Sequence, residues 1–360
     1  MPKAITTLPE GFARRMVDWQ RLHGRQSLPW QNTQDPYRVW LSEIMLQQTQ
    51  VATVIGYFDR FLARCPTVAD LAAASSDEVM GLWSGLGYYS RARNLHRCAQ
   101  LVMELHGGAF PRDAATLVTL PGIGRSTAAA IASLCFDERV AIMDANVKRV
   151  LTRVLGFDAD LASTKNERAL WDQATALLPS AAEVATEGPR VMPRYTQGMM
   201  DLGASLCSPK RPSCLLCPVQ SQCAAAKAGD AERYPVRTRK LKRSSQSLWL
   251  LWLRRADGAV WLSKRPTPGV WAGLQCFPLF ESEDALRAAL PPAFAGDLRF
   301  MPAVTHVLTH KDLFMHPAQV ECAQGAMDLI ASGLGEGAWF TPAEWAAAGL
   351  PAPVRKLLEG

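Results

Sequence analysis

Between Pro36 and Cys223 apolar residues return every three or four positions, and no stretch alternates with a period of two. Trp40, Ile44, Val51, Val54, Ile55, Phe58 and Phe61 form one such stripe, opened by Asp35 as an N-cap and Pro36 at the first helical position. The same spacing predicts helices at SDEVMGLW, SRARNLHRCAQLVMELHG, DAATLVTL, RSTAAAIASLCF, DANVKRVLTRVLG and NERALWDQATALL. Past Cys223 the period changes. SLWLLWLRR and AVWLSKRP read as strands joined by the turn ADG, EDALRAAL reads as a helix, and strand-like pieces return from Ala303 to Ala323. The run RYPVRTRKLKR, Arg233 to Arg243, holds four arginines and two lysines with no acid and is expected to be a solvated linker. The predicted organisation is a mostly α domain over 1–228, a basic linker over 229–246 and an α+β domain over 247–360.

Composition narrows the class. With 48% hydrophobic and 20% charged residues in 360, the chain can bury a core, which argues against disorder. No apolar run reaches the roughly 18 to 20 residues of a membrane helix, and MPKAITTLPEGFARRMVDW lacks the apolar centre of a signal peptide, so a cytoplasmic protein is expected. The net charge of +6 leans towards a polyanionic partner without deciding it. Nine cysteines in a reducing compartment argue against a disulfide framework.

Four of those cysteines, Cys207, Cys214, Cys217 and Cys223, fall within seventeen residues as C-x6-C-x2-C-x5-C, the density of a metal or cluster site. Structural zinc favours two C-x2-C knuckles and this pattern has one, while its compact, unequal, proline-containing spacing fits wrapping around a [4Fe–4S] cube; zinc stays open on spacing alone. Lys210 and Arg211 lie inside the loop, where they can meet phosphates. Cys65, Cys98, Cys135, Cys276 and Cys322 are expected to be core residues.

Three further features carry chemistry. Pro121-Gly122-Ile123-Gly124 sits between two helical segments, where a glycine turn exposes backbone N–H groups at the start of a helix, either as a phosphate site or as a simple connection. Glu43 interrupts the buried stretch SEIMLQQTQ, with Trp40 a turn before and Leu46 a turn after, a setting that raises a carboxyl pKa and makes a general acid. Asp144, in AIMDANVKRV, precedes a helix and reads locally as an N-cap. His306, His310 and His316 have no spacing that suits a metal.

Leu120-Pro121-Gly122-Ile123-Gly124 resembles the hairpin of the helix-hairpin-helix DNA glycosylases, and the cysteine spacing is similar to the iron–sulfur loop of that superfamily. SEIMLQQTQV, GLGYYSRARNL and MDANVKRVL look like its MutY-type adenine DNA glycosylase branch, a likeness that runs from about Leu28 to Cys223 and resumes in the C-terminal domain. VWLSKRPTPGVWAGLQCFPLF resembles the start of a Nudix-like fold, yet the G-x5-E-x7-R-E-x2-E-E helix that holds Mg²⁺ is missing after Gly273, so this domain is expected to bind a base and not to hydrolyse a nucleotide.

The resemblance implies a monofunctional glycosylase of base excision repair. It would carry a [4Fe–4S] cluster, act as a monomer on double-stranded DNA, and remove adenine opposite 8-oxoguanine or guanine. Glu43 would protonate adenine N7 and later activate water, Asp144 would stabilise positive charge on the sugar, and Asn146 would orient these groups. Gln48 would wedge into the stack beside an intercalating Tyr88, with Gln47 bracing the helix. Trp30, Gln31 and Gln197 would border the adenine pocket, with Gln31 in place of an arginine and Gln197 of a glutamate. Ser126 stands where bifunctional relatives carry a nucleophilic lysine, so a Schiff-base route to strand cleavage has no reagent. Ala145 replaces a common glycine. Leu308, Thr309 and His310 match a loop usually written Phe-Ser-His that contacts 8-oxoguanine. A non-catalytic lesion-binding protein is disfavoured because both acids are present, and an endonuclease III-like lyase is disfavoured by Ser126.

Overall fold

The computed structural model describes residues 9–238, 242–291, 294, 296–322 and 333–360. These group into two compact units. One takes the chain up to Leu62, Thr67–Ala69 and Arg97–Lys240; the other takes Ala63–Pro66, Asp70–His96 and Leu241–Gly360.

Helices run in the order α1 Phe12–His23, α2 Pro36–Leu46, α3 Val51–Arg64, α4 Val68–Ala73, α5 Ser76–Leu82, α6 Ser90–His106, α7 Ala114–Leu117, α8 Arg125–Phe136, α9 Ala145–Leu155, α10 Thr164–Ala176, α11 Ala181–Glu187, α12 Val191–Ala204 and α13 Ala224–Ala228. The N-cap of α2 is as expected: Asp35 accepts from the Tyr37 N–H at 2.9 Å and Pro36 opens the helix. The stripe from Trp40 to Phe61 is two helices and not one. The glutamine segment between them leaves the helix, with Gln48 at φ 57. Apolar spacing ran on through the break because both helices bury the same kind of face. Helices α1 and α11, which the pattern did not single out, also form; α11 is started by a capping box of Ser180 and Glu183.

In the first unit α9 buries Val147, Val150, Leu151, Val154 and Leu155 against a core that includes Met199 and Leu202 of α12. Gly203 lets these helices meet, since a Cβ there would fall 2.7 Å from that of Asn146. The alanine run of α8, Ala128 to Ala132, is wholly buried and packs on α2, α7 and α12. Small side chains allow that close approach.

In the second unit the sheet follows the order β3-β2-β1-β7-β5, with β4 and β8 pairing β1 and β2 and β6 pairing β7. Strand β1 is Ser244–Arg255, β2 Val260–Lys264, β3 Gln275–Cys276, β4 Leu279–Phe280, β5 Arg299–Phe300, β6 Val304–Val307, β7 Lys311–Cys322 and β8 Ala338–Phe340. Strands β1 and β7 lie parallel from Ser244↔Lys311 to Arg255↔Cys322. The ADG turn joins β1 and β2 as expected, with Gly258 at φ 82. Helix α14, Glu283–Ala288, is shorter than EDALRAAL and packs Leu286 into a cluster with Leu251, Leu253 and Val320. Helices α15, Pro342–Ala347, and α16, Ala352–Glu359, close the chain.

The basic run is docked where it is described. Tyr234 is buried in the core of the first unit, Thr238 bonds the Asp160 carboxylate, and Arg243 pairs with Asp312. Residues 239–241 of that run lie outside the described residues. Cys65, Cys98 and Cys276 are fully buried as expected, whereas Cys135 is half-buried; the side chain of Cys322 lies outside the described residues. Among the described residues no helix is long and apolar enough to cross a membrane.

Candidate active site and base-reading turn

Glu43 opens into a cleft of about 50 Å³ lined by Leu28, Trp30, Val39, Leu46, Val51, Leu134, Gln197 and Met200, with Arg25 at its edge. Burial raises the Glu43 carboxyl to about 7, and the nearby charge of Asp144 pushes the same way. Leu46 is part of the wall as the sequence suggested. Trp40 does not line the cleft; its ring packs on Phe110 and Tyr37. The greasy surroundings come from Trp30, Leu134 and Met200, which no local pattern around Glu43 could reveal.

Asp144 is the N-cap of α9 and accepts from the Val147 N–H at 2.7 Å. Burial raises its pKa, against the backbone N–H groups of Val147 and Asn146 and the charges of Arg149 and Lys148, which lower it. The capping and the coupling to Glu43 therefore coexist in one side chain. Asn146, two residues on, accepts through Oδ1 from Arg149 Nη2 at 2.9 Å, and that guanidinium also donates to the carbonyls of Gly203 and Cys207. Ser126 Oγ accepts from the Met143 N–H at 3.3 Å, tying the first turn of α8 to the segment that delivers Asp144.

Beside the cleft, and sharing Trp30, Val39, Leu134, Gln197 and Arg25 with it, lies a cavity of about 320 Å³ that also includes Gln31. The Gln31 Oε1 accepts from the Leu28 N–H at 3.3 Å, which leaves its Nε2 buried without a partner among the described residues. Gln197 donates from Nε2 to Asp201 Oδ1 at 2.9 Å, and the buried Asp201 also takes the Arg25 N–H and Nε. Of the two glutamines, Gln31 thus keeps a buried donor without a partner among the described residues. Trp30, Gln31, Gln197 and Glu43 are brought together.

The glycine turn splits its work. Gly122 sits at φ 77, where a side chain is strained, and Gly124 is the N-cap of α8 with no side-chain cap, leaving the first N–H groups of that helix outward. Gln48 is exposed on its left-handed backbone, a sparsely populated state for a glutamine.

Cys207, Cys214, Cys217 and Cys223 line a single pocket with Val150, Val154, Leu202 and Val219. Among the described residues no group of three or more His, Cys, Asp or Glu could hold a metal ion. Four thiols around one pocket are a donor set that suits a thiolate-held cluster. Arg153 reinforces that fit. Its guanidinium is buried with no carboxylate among its bonds; it donates to the carbonyls of Ala231, Ser208 and Pro209 and to Cys207 Sγ at 3.3 Å. A buried cation calls for an anion nearby, and thiolates in a cluster supply one.

In the second unit Tyr88 is 44% exposed at φ 48, backed by the Arg91 guanidinium 5.6 Å from its ring centre. Its hydroxyl lies 2.5 Å from Thr309 Oγ1. Thr309 and His310 are exposed and Leu308 half-buried on the turn between β6 and β7, and with Tyr88, Trp271 and His306 they line a cavity of about 530 Å³. The sequence proposed Tyr88 and Thr309 separately and had no means of joining them across their separation in the chain.

The family model described as HhH-GPD superfamily base excision DNA repair protein matches residues 41–175, and the NUDIX domain model matches residues 249–360. The adenine DNA glycosylase of Buchnera aphidicola subsp. Acyrthosiphon pisum (strain APS) is 34% identical over 353 residues, covering 97% of each chain. That of Rattus norvegicus is 47% identical over 223 residues, 59% of this chain and 41% of its own. Among solved structures, a thermostable thymine-DNA glycosylase aligns with a TM-score of 0.51 at 27% identity, covering 60% of this chain and 95% of that one. The helical repair fold and the Nudix-like domain occur in the expected order, and likeness to the Buchnera protein extends over nearly the whole of both sequences: this chain belongs to the adenine DNA glycosylase family.

Proposed function

We propose that the protein excises adenine paired with 8-oxoguanine, and less efficiently adenine paired with guanine, by hydrolysing the N-glycosidic bond of a base flipped out of duplex DNA. The observation that carries this reading is the pairing of Glu43 with Asp144 beside a cavity that holds an unpartnered amide donor. A carboxyl whose pKa is raised to about 7 keeps its proton in a substantial fraction of molecules near neutral pH and can give it to a ring nitrogen, which improves the base as a leaving group. Asp144, whose charged form is favoured by the helix N–H groups and by Arg149 and Lys148 against the effect of burial, would offset positive charge growing on the sugar. In the cavity the Gln31 donor, unpartnered among the described residues, and the Gln197 carbonyl oxygen would match a base edge that offers one ring acceptor and one amino group. Adenine has that edge; guanine reverses it. Asn146, whose Oδ1 is held by Arg149, would use its amide N–H groups to orient the leaving base or the carboxylates.

Gln48 would fill the gap left by the flipped base, Tyr88 would stack in the duplex, and the Leu308–His310 turn would meet the opposite purine. The N–H groups after Gly124, with Lys210 and Arg211, would hold phosphates. Ser126 supplies no amine, so the product is an abasic site without strand scission. Cys207, Cys214, Cys217 and Cys223 would hold a [4Fe–4S] cluster, whose chemistry in this setting is structural and electrostatic, its negative charge offsetting Arg153. The chain would act as a monomer in the cytoplasm, on the nucleoid.

Purified protein incubated with a duplex bearing adenine opposite 8-oxoguanine is expected to yield breaks only after alkali. Breaks without alkali would mean a lyase, and tight binding with no breaks would mean a lesion-binding protein that does no chemistry.

A further inference from the structure

The turn that carries Leu308, Thr309 and His310 projects from the sheet with an exposed tip, where apolar packing can do little to fix it. Its own closure is one backbone hydrogen bond, from the Leu308 N–H to the Lys311 carbonyl at 2.8 Å. The carbonyls at the tip are taken by residues that lead into β1. Arg243 Nη1 donates to the Thr309 carbonyl at 2.9 Å, and the Ser244 N–H donates to the His310 carbonyl at 3.1 Å. The Arg243 guanidinium is aimed by Asp312, which it pairs through Nη2. Asp312 stands at the foot of the same turn, opposite Ser245 on β1 and Val307 on β6. On its other side Thr309 is held through its hydroxyl by Tyr88.

We propose that Arg243 is a positioning residue for recognition of the opposite base: its planar fork clamps the Thr309 carbonyl to Asp312, so that the Thr309 hydroxyl meets the oxidised purine in a fixed orientation. This rests on the reading of the turn as the 8-oxoguanine contact. By sequence Arg243 belongs to the basic run, whose ordinary role is to meet phosphates. The two roles separate cleanly. A phosphate contact weakens binding to every duplex alike and carries salt dependence, whereas a clamp on the turn weakens the preference between opposite bases and leaves that slope alone. A lysine can replace the charge but not the fork that bonds a carbonyl and a carboxylate together.

The test compares single-turnover excision by the full chain on duplexes with adenine opposite 8-oxoguanine and adenine opposite guanine. It uses the wild type, Arg243→Gln, Arg243→Lys, Asp312→Asn and Thr309→Ala, alongside the salt dependence of binding and the melting temperature. Arg243→Gln is expected to lower the ratio of the two rates about tenfold, the scale of one charge-assisted hydrogen bond. Arg243→Lys should recover part of it, Asp312→Asn should show a smaller fall, and the salt slope should not change. An unchanged ratio in Arg243→Gln, while Thr309→Ala lowers it, overturns the clamp and leaves the role of the turn standing. Unchanged ratios in both overturn the reading of the turn and the clamp with it. Equal losses on both duplexes with a flatter salt slope overturn the clamp in favour of a phosphate contact. Should Arg243→Gln melt early, Asp312→Asn, which keeps the arginine, decides the matter by the same ratio.

Discussion

Glu43 lies in a cleft walled by Trp30, Leu134 and Met200, whereas Thr309 stands exposed on a turn held by bonds from Tyr88 and Arg243. The first is set by desolvation, which shifts a proton equilibrium and needs many apolar neighbours from distant parts of the chain. The second is set by a few directional bonds, which fix an orientation and leave the side chain open to a partner. Chemistry on a flipped base requires the dry environment; reading a base that stays in the helix requires the accessible one. Placing them in separate units lets each be tuned without disturbing the other.

Loss of the acid should be the largest effect. Glu43→Gln is expected to slow single-turnover excision by about 10² to 10⁴, and Asp144→Asn by about 10² to 10³, with duplex binding retained in both. A Glu43→Gln enzyme at full speed would break the assignment of roles outright. The pH dependence sharpens the same point: with Glu43 at about 7, the wild-type rate should drop about tenfold per unit above that pH as the donor proton is lost.

Stability should run the other way. The Glu43 pKa is raised on folding, so the folded chain holds its proton more tightly than the unfolded one. The site is therefore least costly below the unfolded value and becomes destabilising as pH rises through about 7. Glu43→Gln, which cannot ionise, should be more stable than the wild type at pH 8 by on the order of 1 to 3 kcal/mol, measured by urea unfolding, and no more stable at acidic pH.

Across the units, Thr309→Ala should cost about tenfold in the preference for 8-oxoguanine over guanine while leaving the pH profile of excision in place. A shifted profile would mean that the two regions are not independent. The smallest effects belong to the hairpin. Gly122→Ala, at φ 77, should lose about 1 to 2 kcal/mol of stability in a thermal melt. Gly124→Ala meets open space and should leave the melt unchanged while weakening binding to any duplex.

Much of the helical half was legible because amphipathic spacing and caps such as Asp35 and Asp144 are local signals. The break at Gln48 was not, since a left-handed glutamine has no signature in sequence. The acid at Glu43 stood out as a carboxyl among apolar neighbours, but Trp40 was the wrong neighbour: a turn of helix sets direction, and tertiary packing sets what lies there. The bond from Arg25 to Asp201 joins residues far apart in the chain, as does that of Tyr88 with Thr309, so neither could be read along it. The membership of Asp70–His96 in the unit with the sheet is of the same kind: a stretch with a plain helical period belongs to whichever partner covers its apolar face.

The parallel register of β1 and β7 carries one more consequence. Because Ser244 and Lys311 are neighbours and both strands run the same way, the peptide arriving from upstream is delivered to the very rim from which the Thr309 turn rises. Inserting or deleting a residue between Arg243 and Leu250 would invert which side chains face inward and carry the anchor off its target.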